Sequence, residues 1–393
     1  MPQEFHIMRF LNIQARYLTM LFVLVCFFPD AGYAISWRIT PALSARQTYD
    51  NNVFLRDIQD FETRLSPSVE LLLEDERYSI KALAAANIYL YARYADYNRI
   101  NQNYEFSSSY NATERLTVGL DGSLIFDNTF DYYLSDSGIP TSKIGRREIT
   151  INPNARYAVT ERDVISFTVA GTFIDYDSDT YTNSSGVRGG FSWVHAFSEI
   201  LRGSLNLQTD ATSLHSRYDH GERYLGNAML GVEWDISERL TVSAMGGVIG
   251  TQTFFEEAGD SSTVQFGGAA ELEYKPTQTT SLTVGLDRGV TQGVRGELIS
   301  RNRARLNVNW KISERLNAGI SCNIYDSISD YRSGVDTTRL SYNISPKLTY
   351  YFDEDFFVQV GYSRYETWNY TTDSNKSRDQ VYVEFSVANP FGK

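Results

Sequence analysis

The sequence predicts an all-β chain: a transmembrane, antiparallel, up-and-down β-barrel of about 18 strands, with 16 as the alternative count. Three observations carry this. Apolar and polar side chains alternate over long runs, short acidic turns recur along the chain, and aromatic residues abound in a chain that is not hydrophobic overall.

The alternation is plainest at residues 302–310. Asn302, Ala304, Leu306, Val308 and Trp310 share one face, while Arg303, Arg305, Asn307 and Asn309 share the other, with Lys311 following. At 316–325, Leu316, Ala318, Ile320, Cys322 and Ile324 alternate with Asn317, Gly319, Ser321, Asn323 and Tyr325. Residues 80–91 and 340–351 repeat the pattern. Successive strand side chains point to opposite faces, so each run has one apolar and one polar side. The runs outlast the usual soluble strand of about 5–6 residues and reach the ~9–11 residues that a tilted strand needs to cross a bilayer. In hydrocarbon an open edge would strand backbone groups without partners, so such a sheet must close.

The turns set the count. Glu74-Asp-Glu-Arg77, Thr113-Glu-Arg115, Thr160-Glu-Arg-Asp163, Ser198-Glu-Ile200, Ser237-Glu-Arg239, Pro276-Thr-Gln-Thr-Thr280, Ser313-Glu-Arg315 and Asp353-Glu-Asp355 recur roughly every 40 residues, room for two strands and one longer loop. The longer polar loops fall at 127–145, 176–185, 215–222, 255–262, 291–298, 328–336 and 370–378; none has the length of a plug domain, although 127–145 could fold inwards. Eight short turns join nine hairpins, with the first strand near 36–48 and the last near 378–388. Short turns on one side and long loops on the other match bacterial outer-membrane barrels, whose short turns face the periplasm. A β-propeller also repeats at about 40 residues, but no Trp-Asp signature recurs from repeat to repeat and the strands are too long.

Composition agrees. The chain of 393 residues carries 27 Tyr, 22 Phe and 5 Trp, yet only 42% hydrophobic residues and a net charge of −12. Strands that face lipid on one side and water on the other, with aromatic girdles, have this profile. No basic stripe suited to neutralising phosphates occurs, which excludes nucleic acid as a partner.

Residues 1–34 read as a secretory signal peptide and 35–393 as the barrel. Arg9 and Arg16 precede the apolar run Leu18–Phe28, and Gly32-Tyr33-Ala34 puts small residues at a cleavage site. Cys26 falls in the signal, leaving Cys322 without a disulfide partner. A motif with an internal proline recurs at Ile39–Leu43, Leu65–Val69, Ile151–Ala155 and Ile344–Leu348. Proline removes a ladder donor, so the motif suggests local bulges or shared hairpin ancestry.

Thr48-Tyr-Asp-Asn-Asn-Val53 near the mature start, followed by Leu65-Ser-Pro-Ser-Val69 and long Tyr-rich alternating strands, resembles a family of outer-membrane β-barrel porins often encoded beside exopolysaccharide-synthesis genes. The resemblance covers nearly the whole mature chain and implies an outer-membrane barrel that helps polysaccharide leave the cell. It brings no catalytic residues. Implied partners are outer-membrane lipid, the barrel-assembly machinery, polysaccharide and export-system components. The ending departs from commoner porins: after Val381-Tyr-Val-Glu-Phe385 the chain runs on through Ser386–Lys393.

No cofactor or metal site is expected. His215, Ser216, Asp219 and His220 are ingredients of a nucleophile–base arrangement, but a polar loop collects such residues by composition. Asp175-Tyr-Asp-Ser-Asp179 opens like a calcium loop without the glycine and distal glutamate such a loop needs. The informative residues are charged ones spaced to face a lumen: Arg64, Glu70, Lys81, Glu233, Asp287, Arg303, Arg305, Lys311 and Lys347. There they tune solute passage or pair across the wall to stiffen it. The expected function is a non-enzymatic channel; the alternative is a non-conducting barrel serving as scaffold or surface-interaction component of a secretion system.

Overall fold

The computed structural model describes residues 36–217, 220–256, 259–330 and 337–392. The expected signal segment, residues 1–34, lies outside them. Eighteen long strands follow one another: β1 (Ser36–Asp50), β2 (Asp60–Glu74), β3 (Tyr78–Tyr91), β4 (Arg99–Asn111), β5 (Leu116–Asn128), β6 (Gly145–Ala158), β7 (Asp163–Tyr176), β8 (Asn183–Ala196) and β9 (Leu201–His215). The second half holds β10 (His220–Ser237), β11 (Leu240–Phe255), β12 (Ser261–Thr277), β13 (Thr280–Gln292), β14 (Leu298–Lys311), β15 (Leu316–Asp330), β16 (Thr337–Tyr351), β17 (Phe356–Asn369) and β18 (Ser374–Ala388). One α-helix among the described residues, α1 (Thr129–Asp136), interrupts them.

Each strand pairs antiparallel with the next, and β1 also pairs with β18, from Ala42 opposite Ala388 to Asp50 opposite Gln380. The sheet is thereby closed, with 18 strands rather than 16. All eight short turns stand where the recurring turn segments predict them. Two further long-side connections, 51–59 and 92–98, fall in the less regular start of the chain.

The prolines do not make bulges. Pairing of β2 with β3 skips from Leu65–Ile88 to Ser68–Ala85, β6 with β7 from Ile151–Gly171 to Asn154–Thr168, and β16 with β17 from Ile344–Arg364 to Lys347–Gly361. The register is unchanged across each gap. On the other side the ladder runs through Leu120–Pro153 and Ile320–Pro346. Each proline simply lacks the N–H that one neighbour would have received.

The outer face carries the apolar set of every run, including Leu43, Ile100, Leu120, Ile151, Phe167, Val187, Leu230, Phe266 and Leu286, all exposed. Near the short turns, Tyr110, Tyr157, Trp193, Trp234, Tyr274, Trp310 and Tyr350 form an outward aromatic girdle. The strands are 13–18 residues long, more than a bilayer requires, so they project beyond it. On the outer face towards the long loops, Arg364 pairs with Glu366 at 2.9 Å and Asp379 at 3.2 Å, beyond the apolar band.

Candidate functional site

The most deeply buried side chains lie inside the barrel at the long-loop end. Val53 is 0% exposed, and Leu55 and Phe130 are each 1% exposed; with Phe54, Tyr91 and Tyr365 they form one cluster. Three connections supply or support this packing by folding inwards: 51–59, 129–144 and 293–297.

The first is pinned by the Thr48–Val53 motif. Asp50, fully buried, takes the Arg378 guanidinium and a 3.1 Å bond from Gln380. Asn52 donates to the Ser377 carbonyl at 2.7 Å and accepts from the Asp57 backbone at 2.6 Å. Phe54, Leu55 and Asp57 have φ values of 53°, 57° and 59°, a region that non-glycine residues enter at a cost. That conformation turns Phe54 edge-on to Phe130, with ring centroids 4.9 Å apart.

The second connection crosses the lumen. Its helix α1 starts at Asn128, whose side chain accepts from the Asp131 N–H at 3.0 Å, satisfying one orphan donor of the first turn. Asp131, suited to a helix N-terminus, is held by Arg99 of β4 at 3.1 Å. Arg99 in turn stacks on Tyr89, 3.7 Å from the ring centroid, and Arg146 stacks on Tyr132 at 3.6 Å. Burial pushes the Tyr132 and Tyr133 hydroxyls well above the ordinary tyrosine range, so both remain neutral. Tyr133 meets Tyr176 at 3.1 Å.

The far end of α1 docks on the opposite wall. Arg301 of β14 donates to the Asp136 carboxylate at 2.7 Å and to its carbonyl at 2.5 Å. Tyr325 donates to the Ser135 carbonyl at 2.9 Å and Ser327 to the Ser137 carbonyl at 2.9 Å. Ser341 and Tyr365 both donate to the Gly138 carbonyl, at 2.8 and 2.7 Å. The last turn of a helix has carbonyls with no intrahelical partner; here the barrel wall caps them, with a cation at the negative end of the dipole. Gly138 has φ +66°, and a Cβ there would sit 2.9 Å from the Tyr325 ring and 3.0 Å from Ser341. The docking geometry therefore requires glycine.

The third connection covers the adjoining rim. The Thr182 N–H donates to the Val294 carbonyl at 2.9 Å. Arg223 reaches Gln292 at 3.2 Å and donates to the Gly296 carbonyl.

Below these loops the inner wall is a ladder of ion pairs, into which the structure sorts the charged residues singled out above. Lys81 pairs with Glu70 at 2.9 Å, Arg64 with Glu384 at 3.2 Å, and Arg303 with Asp287 at 2.8 Å. Arg305 lies between Glu271 (3.6 Å) and Asp287 (3.8 Å), and Glu233 pairs with Arg202. Lys311 and Lys347 form no ion pair among the described residues. They line a recess of about 750 Å³ at the short-turn end. Several inner charges are well exposed, Lys81 at 52% and Arg188 at 57% of the side chain, although both share the faces opposite the apolar exterior. Among the described residues, none fills the interior there.

Sequence reading missed Arg46, Arg99, Arg146, Arg301 and Arg378, although the alternation that found Arg303 also places Arg301 and Arg146 inside. Elsewhere the pattern gave ingredients without convergence. His215 and His220 face each other across β9 and β10 with ring centroids 5.3 Å apart, and Asp219 lies outside the described residues. Asp175 pairs with Arg147 at 3.3 Å, and Asp179 sits 4.0 Å from Arg217. His195 instead meets Asp163 at 2.8 Å near a short turn.

A closed 18-strand barrel, apolar outside and charged within, defines an outer-membrane β-barrel. Among solved structures, the copper transporter OprC superposes with a TM-score of 0.51 at 8% identity, covering 89% of this chain and 64% of OprC. The chain thus spans less than two thirds of OprC. OpdK of Pseudomonas aeruginosa, solved with vanillate, gives a TM-score of 0.46 at 8% identity, covering 90% and 99% of the two chains. The likeness to OprC concerns the fold alone. No protein-family model matches the chain, and no curated sequence does.

Proposed function

We propose that the protein is a passive outer-membrane channel, narrowed by its own inward loops, that conducts polar saccharide solutes and serves exopolysaccharide export. The observation that carries this reading is the wall: inward charges stay exposed, Lys81 towards the short turns and Arg188 near mid-strand, in a bore that a docked helix crosses at the long-loop end. A barrel kept only as a scaffold has no use for a solvated, charge-lined interior. Barrels of this strand number commonly enclose water. The sequence resemblance supplies the cargo class. In this reading the protein performs no chemistry, is inserted by the assembly machinery, sits in outer-membrane lipid and works beside export-system components.

The dry packing of Val53, Leu55 and Phe130 favours a second reading, a non-conducting barrel used as a scaffold. Planar-bilayer recording of the folded mature chain separates the two. Discrete conductance steps blocked by acidic oligosaccharide support the saccharide conduit, and steps indifferent to sugar leave a general porin. Silence from verified, folded protein refutes conduction and leaves the scaffold.

A further inference from the structure

We infer that the inner wall at the short-turn end holds a binding subsite for carboxylate-bearing oligosaccharides, formed by Lys275, Lys311 and Lys347 with Arg239 at its edge. The inference deepens the channel reading and rests on it for the route by which a saccharide arrives.

Most cations further along the inner wall are balanced, although Arg156 forms no ion pair among the described residues. Arg46, Arg64, Lys81, Arg202 and Arg303 each have a carboxylate within ion-pair distance. The recess gathers several unbalanced ones together. Lys275 lies near the end of β12, Lys311 ends β14, and Lys347 lies on β16 near its turn; all three are exposed and none has an ion-pair partner among the described residues. Glu238, at the turn, is the one carboxylate among the residues lining the recess. Glu271, further along β12, is engaged by Arg305. Glu273, two residues from Lys275 on the same face of β12, lies outside the lining; three lysines and Arg239 against Glu238 leave an excess of positive charge that repels itself, so the arrangement gains from an anionic solute.

The recess is also shaped for a chain rather than a point charge. Strands two apart lie ~10 Å from each other, so Lys275, Lys311 and Lys347 are spread in steps along the wall. Gly319 lies between them: a Cβ there would come 3.1 Å from Lys347 Cε and 3.5 Å from Asn309 Oδ1. The absent side chain lets the Lys347 stem lie flat beside Asn309 and leaves the floor open. Asn309 and Asn317 offer amides for hydroxyl groups, and Tyr351 and Phe357 offer ring faces. Repeated anionic groups, hydroxyls and apolar ring faces are together the chemistry of an oligo-uronate. Because short turns face the periplasm, such a chain would meet the subsite before it met the docked helix.

The test is calorimetric titration of the full-length barrel in neutral detergent with trigalacturonate, and with maltotriose as the uncharged match. This reads binding without conduction, so a silent channel that still binds would refute the channel reading and not the subsite. Trigalacturonate is expected to bind at low salt, weaken steeply at 0.5 M salt as screening shortens to about 4 Å, and outcompete maltotriose. The triple variant Lys275→Gln, Lys311→Gln, Lys347→Gln is expected to lose about tenfold or more in affinity, since each charge-assisted contact is only partly screened at the wall. Lys347→Arg, which keeps the charge, should retain most of it and guards against a folding artefact. No trigalacturonate binding, equal binding of both sugars, or an unchanged affinity in a folded triple variant would each overturn the proposal.

Discussion

Replacing Arg301 with Met should release the crossing helix while leaving the barrel intact. Met keeps the aliphatic stem and removes the guanidinium, and with it the 2.7 Å contact to the Asp136 carboxylate and the 2.5 Å contact to its carbonyl. Asp287 is not orphaned, because Arg303 still holds it at 2.8 Å. Charge-assisted hydrogen bonds are worth about 1.5–3 kcal/mol each. The Asp136 side chain is 25% exposed, so water recovers part of the loss, and a net weakening of about 2–3 kcal/mol is reasonable. That multiplies the undocked population roughly 30- to 150-fold. The hydroxyl anchors from Tyr325, Ser327, Ser341 and Tyr365 remain, so undocking becomes frequent rather than permanent. Single-channel recording should show more excursions to a larger conductance, and Asp136→Asn should act in the same direction. The gel shift between folded and heated protein should keep its midpoint, since the β14 ladder to β13 and β15 is untouched. Recordings from folded Arg301→Met that superimpose on the wild type would mean that this contact does not hold the helix, or that the helix does not obstruct the path.

Gly138→Ala tests the same docking from the other partner. A Cβ at 2.9 Å from the Tyr325 ring, on a residue with φ +66°, should cost about 1–2 kcal/mol of strain and raise the same large-conductance excursions; an unchanged open-state frequency would contradict the docked geometry. Leu286→Arg tests the lipid face: Leu286 is 55% exposed on the outer surface of β13, so a charge there should destabilise the folded barrel by up to ~2–4 kcal/mol in urea titration, whereas Lys311→Gln on the inner face should leave the midpoint unmoved. Equal effects from the two would mean that inside and outside have been exchanged.

Much of this architecture was legible because it rests on a period of two. A face that must be apolar for lipid and a face that must be polar for water write themselves into every strand, and the turn between them into every fourth decade of residues. Arg303, Arg305 and Asp287 stand together because alternation fixes their side and antiparallel register fixes their neighbours: Asp287 pairs opposite Arg303 across β13 and β14. The inward loops were legible only as an option for 127–145. Nothing periodic marks Val53, Phe54 and Leu55 as an interior cluster, since three apolar residues beside Asn51 and Asn52 look like a strand end. Their burial is created by Phe130, which lies far along the chain. Arg301 was overlooked for a related reason. Its partner is Asp136, on a loop docked from the opposite wall, and register says nothing about contacts across a lumen. The prolines show the reverse limit. The motif correctly flagged missing donors, but the ladder tolerates a missing N–H without slipping, because the bridges on either side of each gap hold the register.

The distribution of bond types along the wall suggests which part of the molecule can move. The barrel is held by backbone ladders that continue around the full circle, and opening any one seam would leave strand edges unpaired in lipid. The crossing helix is attached to the far wall by side-chain donors alone, each contributing about 0.5–1.5 kcal/mol, or more where charged, and its own anchor at Asn128 and Ile144 lies on the near wall. Hydroxyl and guanidinium donors can be replaced by water without leaving an orphan, whereas ladder bonds facing lipid cannot. A change in bore therefore has to come from the helix and the Val53–Leu55 segment packed beneath it, with the sheet acting as a fixed frame. The apolar contact of Phe130 with that segment sets the resistance to opening, because water gains nothing by replacing it.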